Sequence, residues 1–215
     1  MIKNIEIVKE LVKTPIGIFT LSMSLLIMLS MLVVIVAIII DFIEFHPRKN
    51  EKKKKKSIVE TGSMFLFFFI YSNLIRFGIG NFEIKNVNLR LIMLIFGTFL
   101  IVFGAYFNVK GRFNLGKNWS NQIKIYKDHT LVTSGLYSIV RHPLYASLIW
   151  MFYGGSLAYS NYMCFLINTF VFVPFMYYRA KQEEKLLKEE FKNYKEYQNN
   201  VGMFFPNLNK IFYKR

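Results

Sequence analysis

Cysteine occurs once in the 215 residues, as Cys164 inside an apolar run, so a disulfide scaffold is excluded. Charge is scarce too: 19% of residues are charged, and only 13 are Asp or Glu against 28 Lys or Arg. Whole stretches lack any charge: Ile16 to Ile40 (25 residues), Leu91 to Val109 (19) and Pro143 to Tyr178 (36). Those absences rule out a water-soluble single domain and a disordered chain. About 20 apolar residues in a helix cross the hydrocarbon of a bilayer, so the sequence reads as an integral membrane protein. The net charge of +15 would suggest nucleic acid in a soluble protein. Here it does not, because the basic residues sit in loops between apolar blocks, as the positive-inside rule requires.

The apolar blocks predict an all-α, polytopic membrane protein of five transmembrane helices. It ends in a C-terminal helical hairpin and a cytoplasmic amphipathic helix. The first span is 16–40. It is too long for a cleaved signal peptide, and Asp41, Glu44 and Pro47 follow it where small cleavage-site residues would stand. The second span covers about 59–80 and the third about 91–109. The 36-residue block from Pro143 is too long for one crossing. Gly154-Gly155 and the polar Ser160-Asn161 are expected to break it into a hairpin. Residues 1–110 form an N-terminal three-span region; residues 111–215 form a second unit with a loop, the hairpin and the tail.

Counting Lys and Arg orients the chain. The 41–57 loop has seven, residues 110–134 have five and the tail from 179 has nine, whereas the turn at 81–88 has one. Five spans put every strongly basic segment in the cytoplasm and the N-terminal residues outside. The run Lys52 to Lys56 reads as a topology signal rather than a specific contact with anionic lipid. Asn118-Trp119-Ser120 fits a glycosylation sequon, but it falls on the cytoplasmic side and is discounted.

Spans one to three carry few polar groups, Asn73 and Arg76 among them, and nothing there resembles a proton relay or an ion path. Polar density rises at 112–145 and again at 179–197, at the two ends of the hairpin. A chain that crosses and returns brings those ends together, so Arg141, His142, Arg179 and Glu183 should meet. Pro143 suits the first turn of a helix. Arg141-His142 then precede a helix N-terminus, which favours anionic groups. Arg179, Glu183, Leu187, Phe191 and Tyr194 follow the spacing of one helical face.

The stretch His129-Thr130-Leu131-Val132, Gly135, Tyr137, Arg141-His142-Pro143-Leu144-Tyr145 resembles the signature of the isoprenylcysteine carboxyl methyltransferase family. Gly116-Lys117-Asn118-Trp119-Ser120 upstream, and Arg179, Glu183-Glu184, Phe191, Tyr194, Tyr197 and Pro206 downstream, also fit. The likeness covers about 112–206. Ser147 departs from it, where many relatives have Gly. The family consists of membrane enzymes that use S-adenosylmethionine. The resemblance implies cofactor contacts at His129, Thr130, Leu131, Val132, Tyr137, His142, Pro143, Leu144, Tyr145 and Glu183, and a substrate-facing Arg179. A further loop contact falls on either Gln122 or Lys124. Methylating a carboxylate needs neither a general base nor a metal, since the nucleophile is already ionised at neutral pH; it needs alignment and a dry site.

The expected reaction is carboxyl O-methylation of an isoprenylcysteine-like lipophilic substrate, with the bilayer and that substrate as partners. The alternatives are the same fold and cofactor acting on a small thiol, an amine or a phospholipid head group; a membrane reductase, disfavoured because no glycine-rich phosphate loop is present; and a scaffold, which leaves the polar motif unexplained. The Ile, Lys, Asn and Phe bias fits an AT-rich bacterial genome and hence a bacterial cell membrane. A eukaryotic chain of this kind would belong in the endoplasmic reticulum membrane.

Overall fold

The structure is a computed structural model that describes residues 10–44, 51–54, 58–118, 124–126 and 130–207. Among the described residues the chain is helical, with seven α-helices: α1 (Pro15–Glu44), α2 (Ile58–Phe77), α3 (Val87–Leu115), α4 (Pro143–Ala158), α5 (Tyr162–Ile167), α6 (Val173–Glu190) and α7 (Tyr194–Asn200). One small addition departs from an all-α chain. Strand β1 (Glu51–Lys54) pairs antiparallel with β2 (Lys124–Tyr126), joining the lysine-rich loop to the polar loop after α3.

Among the described residues, three helical stretches are long and apolar enough to cross a membrane: Pro15–Ile40, Val87–Leu115 and Tyr162–Glu190. The chain is an integral membrane protein. The apolar part of α2 (Gly62–Phe77) is shorter, and α4 has 16 residues, or about 24 Å at the helical rise. Large side chains on the outer faces, such as Phe65, Phe69, Phe96 and Phe99, are exposed, which suits lipid rather than water.

Lipid tails are as apolar as leucine, so helices in a bilayer associate through close packing rather than through hydrophobic burial. The α3–α4 contact follows that rule. A Cβ on Gly97 would stand 2.5 Å from the Gly154 carbonyl oxygen, and one on Gly154 would stand 2.6 Å from that of Gly97. Only glycine permits this approach. Gly154-Gly155, expected to break the last apolar block, therefore lie inside α4 as a packing point. The break falls at Tyr159–Asn161, where Ser160 adopts φ 49° and the Asn161 side chain accepts from Cys164 N at 2.8 Å to start α5.

On the other flank, α2 locks to α4 and the last helix through rings. Phe67 stacks on Phe172 at 4.5 Å, and Phe152 packs edge-on against both, at 5.0 and 4.7 Å. Each such pair adds about 0.5–1.5 kcal/mol beyond its buried area. The last helical rod widens into a π turn at Asn168–Phe172, just before Pro174. Proline lacks the N–H that an α turn requires and crowds the carbonyl four residues back, and a wide turn relieves both. The tail is not one helix. α6 ends at Glu190, Phe191 is extended (φ −117°, ψ 113°), and α7 starts at Tyr194. The single face expected through Phe191 and Tyr194 is thus split, and the split lets α7 fold back with Tyr194 buried.

Candidate active site

Pro143 opens α4 as expected, with buried His142 at its N-cap. α6 runs antiparallel beside it and delivers Arg179, Glu183 and Glu184. Four of the expected residues form one chain of contacts. The Tyr145 hydroxyl donates to Glu183 Oε2 at 3.0 Å. His142 Nδ1 stands 3.6 Å from the same carboxylate oxygen. The His142 and Tyr145 rings stack, with centroids 5.4 Å apart and planes within 3°. The Arg179 guanidinium lies 5.8 Å from the centre of the Tyr145 ring. Arg179 is only 5% exposed, and its Nη1 lies 3.2 Å from Met64 Sδ of α2. Glu183 is the exposed end of the chain, with 36% of its side chain accessible.

The other expected residues are held from different directions. Tyr137 is buried in a 3-10 turn (Gly135–Ser138), and its carbonyl accepts from the Tyr197 hydroxyl at 2.6 Å. Burial pushes the Tyr137 phenol well above its ordinary range, nearby Glu183 pushes the same way, and Arg112 opposes them. Pro143 and Leu144 pack on Gly111 of α3. Thr130 is tied to Asn118, and Leu131 and Val132 are half-buried beside it. His129 and Gln122 lie outside the described residues; Lys124 is placed only as part of β2.

Arg141 departs from expectation. It faces away from the anionic pole of the site and pairs with Glu184, its Nε and Nη2 each 2.8 Å from Oε1. It also donates to the carbonyls of Gln198, at 3.0 Å, and Val201. The backbone N–H groups of Arg141 and His142 are taken by the tail, donating to Gly202 O (2.8 Å) and Met203 O (3.1 Å). Those two backbone donors are therefore used within the fold.

Sequence reasoning gave no role to Glu184 or Asn118 and passed over Asn108 and Asn114. Glu184 is 1% exposed and receives Arg141, His142 Nε2 at 3.3 Å and Gln198 Nε2 at 2.8 Å. Asn108, Asn114 and Asn118 project from α3 and the turn after it onto the motif. Asn108 Nδ2 donates to Ser147 Oγ at 2.9 Å, Asn114 Oδ1 accepts from Leu136 N at 3.1 Å, and Asn118 Oδ1 accepts from Thr130 N at 3.0 Å. Polar residues at the end of an apolar helix were the available signal.

Fold and site define a membrane protein with a polar, partly closed site where a helix N-terminus meets an antiparallel helix carrying arginine and glutamate. Residues 94–189 match the isoprenylcysteine carboxyl methyltransferase family. The chain is 36% identical over 115 residues to protein-S-isoprenylcysteine O-methyltransferase of Saccharomyces cerevisiae, covering 52% of this chain and 48% of that one. It is 30% identical over 117 residues to protein-S-isoprenylcysteine O-methyltransferase B of Arabidopsis thaliana, covering 53% and 59%. It is also similar to methanethiol S-methyltransferase of Pseudomonas deceptionensis, 32% identical over 84 residues, covering 39% and 31%. The match thus spans roughly half of each methyltransferase from yeast and plant.

Proposed function

We propose that this chain is an S-adenosylmethionine-dependent methyltransferase that O-methylates the carboxylate of an isoprenylcysteine-like lipid at the membrane. The carrying observation is the contact chain Arg179–Tyr145–Glu183–His142, in which a buried guanidinium and a half-exposed carboxylate are held apart by one phenol. That donor set suits the cofactor: Glu183 offers a carboxylate to its ammonium or ribose hydroxyls, and Leu131, Val132 and Tyr145 offer apolar walls to its adenine. When bound, the cofactor supplies an electrophilic methyl group on a sulfonium. Arg179, against Met64 on the bilayer side, would hold the acceptor carboxylate with its planar fork. Tyr145 keeps that guanidinium and Glu183 in fixed positions, and the apolar helices around them exclude water.

In this reading the chain crosses the membrane five times, with α2 and α4 near the lower length limit. The hairpin mouth, the 41–57 loop and the tail face the cytoplasm, and the membrane is the bacterial cell membrane. Residues 111–215 carry the catalytic site, and residues 1–110 serve as its membrane scaffold.

The likeness to a methanethiol methyltransferase supports a second reading, in which the acceptor is a small thiol. A thiol acceptor does not call for a cationic clamp, and that separates the two. Liposomes containing the protein are supplied with methyl-labelled cofactor and either a farnesylcysteine-type acid or a small thiol. Label should pass to the acid. Arg179→Lys should cut that turnover about 10- to 100-fold, the scale of a lost oriented charge contact, with affinity for S-adenosylhomocysteine unchanged. Transfer to the thiol with Arg179→Lys near wild type would establish the second reading instead.

A further inference from the structure

α3 brings a second arginine to the site. Asn108 is fully buried in that apolar helix, where an amide is costly unless both of its ends are bonded. Both are. Its Nδ2 donates to Ser147 Oγ at 2.9 Å, and Ser147 Oγ donates in turn to Leu144 O at 2.7 Å. Its Oδ1 accepts from Arg112 Nε at 2.9 Å. A guanidinium carries five N–H donors in one rigid plane, so anchoring Nε fixes the plane in which the terminal amino groups lie. An arginine that merely snorkels to the interface needs no buried amide; a leucine at 108 would pack as well.

The neighbours of Arg112 locate it. A Cβ on Gly111 would meet Leu144 Cδ2 at 3.0 Å, and Asn114 Oδ1 accepts from Leu136 N, so Arg112 stands between two residues that touch the 136–144 segment. Tyr137 feels a carboxylate and a guanidinium at once, raised by Glu183 and lowered by Arg112. Arg179 stands apart from this pair, against Met64 and Tyr145. Glu183 and Arg112 thus both act on Tyr137, an acidic and a basic group that complement a zwitterion whose two charges sit on one carbon.

We propose that Arg112, oriented by Asn108, binds the carboxylate of the amino-acid end of S-adenosylmethionine, while Glu183 takes its ammonium. The proposal rests on the cofactor reading above and divides the two arginines by ligand: Arg112 for the cofactor, Arg179 for the acceptor. Asn108 acts only through Arg112 and is a positioning residue.

The test is calorimetric titration of the full chain in detergent with S-adenosylhomocysteine and with its decarboxylated analogue, S-adenosyl-3-thiopropylamine. Wild type should prefer the carboxylate-bearing ligand by about 10- to 100-fold. Arg112→Gln should erase that preference, weakening S-adenosylhomocysteine while leaving the analogue within about 2-fold. Asn108→Leu should reduce the preference by a smaller factor, and Arg112→Lys should fall between Gln and wild type. Should Asn108→Leu fail to fold, the Arg112 variants decide alone. Arg112→Gln weakening both ligands equally, or neither, overturns the assignment. A wild type that binds both ligands equally does the same while sparing the cofactor reading, and one that binds neither removes that reading and the proposal with it.

Discussion

Glu184 is the side chain whose loss should cost the fold most. Its carboxylate takes two nitrogens of Arg141 at 2.8 Å, Gln198 Nε2 at 2.8 Å and His142 Nε2 at 3.3 Å. The pair is almost wholly enclosed, at 8% and 2% side-chain exposure. Removing one partner of such a pair leaves a charge that water cannot reach, at a cost of about 3–5 kcal/mol. That is a large part of the roughly 5–15 kcal/mol that separates folded from unfolded protein. For a chain of this size each kcal/mol moves the melting temperature by about 2–4 °C, so Glu184→Ala should lower it by about 6–20 °C. Glu184→Gln keeps the shape and still accepts one bond, so it should fall by about half as much, losing only the charge-assisted part. The assay is thermal unfolding in detergent, followed by near-ultraviolet circular dichroism. Arg141→Met combined with Glu184→Leu should be less harmful than the sum of the single changes, because no charge is then stranded. It should not be harmless, since Arg141 also serves the carbonyls of Gln198 and Val201. A shift below about 2 °C for Glu184→Ala would mean that the pair is hydrated and that the tail is held some other way.

Asn118→Ala removes both bonds to Thr130, each 3.0 Å long, and should weaken S-adenosylhomocysteine binding by about 3- to 30-fold while the melting temperature hardly moves. Unchanged affinity would detach the 130–132 segment from the cofactor site. Three phenols outside the bilayer, Tyr137, Tyr194 and Tyr197, are raised above 10.0, chiefly by burial. The unfolded chain therefore releases protons near pH 10 that the folded chain keeps. Stability should be level up to about that pH and fall above it, which melting curves between pH 8 and 11 would reveal. Cysteines introduced near 50, 84, 160 and 205 should be labelled from outside intact cells only at 84 and 160; labelling at 50 or 205 reverses the proposed orientation.

Much of this architecture was legible because a bilayer permits few solutions. An uncharged run of 25 residues at Ile16–Ile40 has no fate but a helix, and Pro143 after a polar motif marks a helix start. The i, i+4 spacing of Arg179 and Glu183 also placed them correctly on one face, with His142 and Tyr145 beside Glu183. What failed to show was anything that depends on a distant neighbour. Glu183 and Glu184 are chemically identical and one residue apart, about 100° around the helix. Only the position of α4 decides that 184 turns inward and 183 toward the site. Asn108 sits in a run of Phe, Val and Ala like an incidental polar residue, and it acquires meaning from Ser147, 39 positions away. Gly154-Gly155 looked like a break because glycine disfavours helices; its opposite use, to admit another backbone, depends on Gly97. The tail's helical pattern was genuine, but periodicity does not report a single extended residue at Phe191.

The division between the two glutamates matters for the proposed chemistry. Two carboxylates in one polar mouth would repel an incoming acceptor carboxylate if both faced it. Glu184 is instead cancelled in place by Arg141, and the same contacts pin His142 from below. Only Glu183 remains exposed, and Tyr145 stands between it and Arg179, donating its hydroxyl to one and presenting its ring to the other. An acceptor carboxylate at Arg179 is thereby screened from Glu183 by a neutral ring, while a cationic ligand at Glu183 is kept off Arg179. Tyr145→Phe tests that separation, since it keeps the ring and loses the donor. Glu183 should then be held less firmly, so S-adenosylhomocysteine affinity should fall by several-fold, about what one hydrogen bond to a charged group contributes. The Michaelis constant for the acceptor should stay near wild type, because the ring still separates the charges. A variant that loses acceptor binding but keeps cofactor affinity would show that Tyr145 works through Arg179 rather than Glu183, and the assignment of the two poles would have to be exchanged.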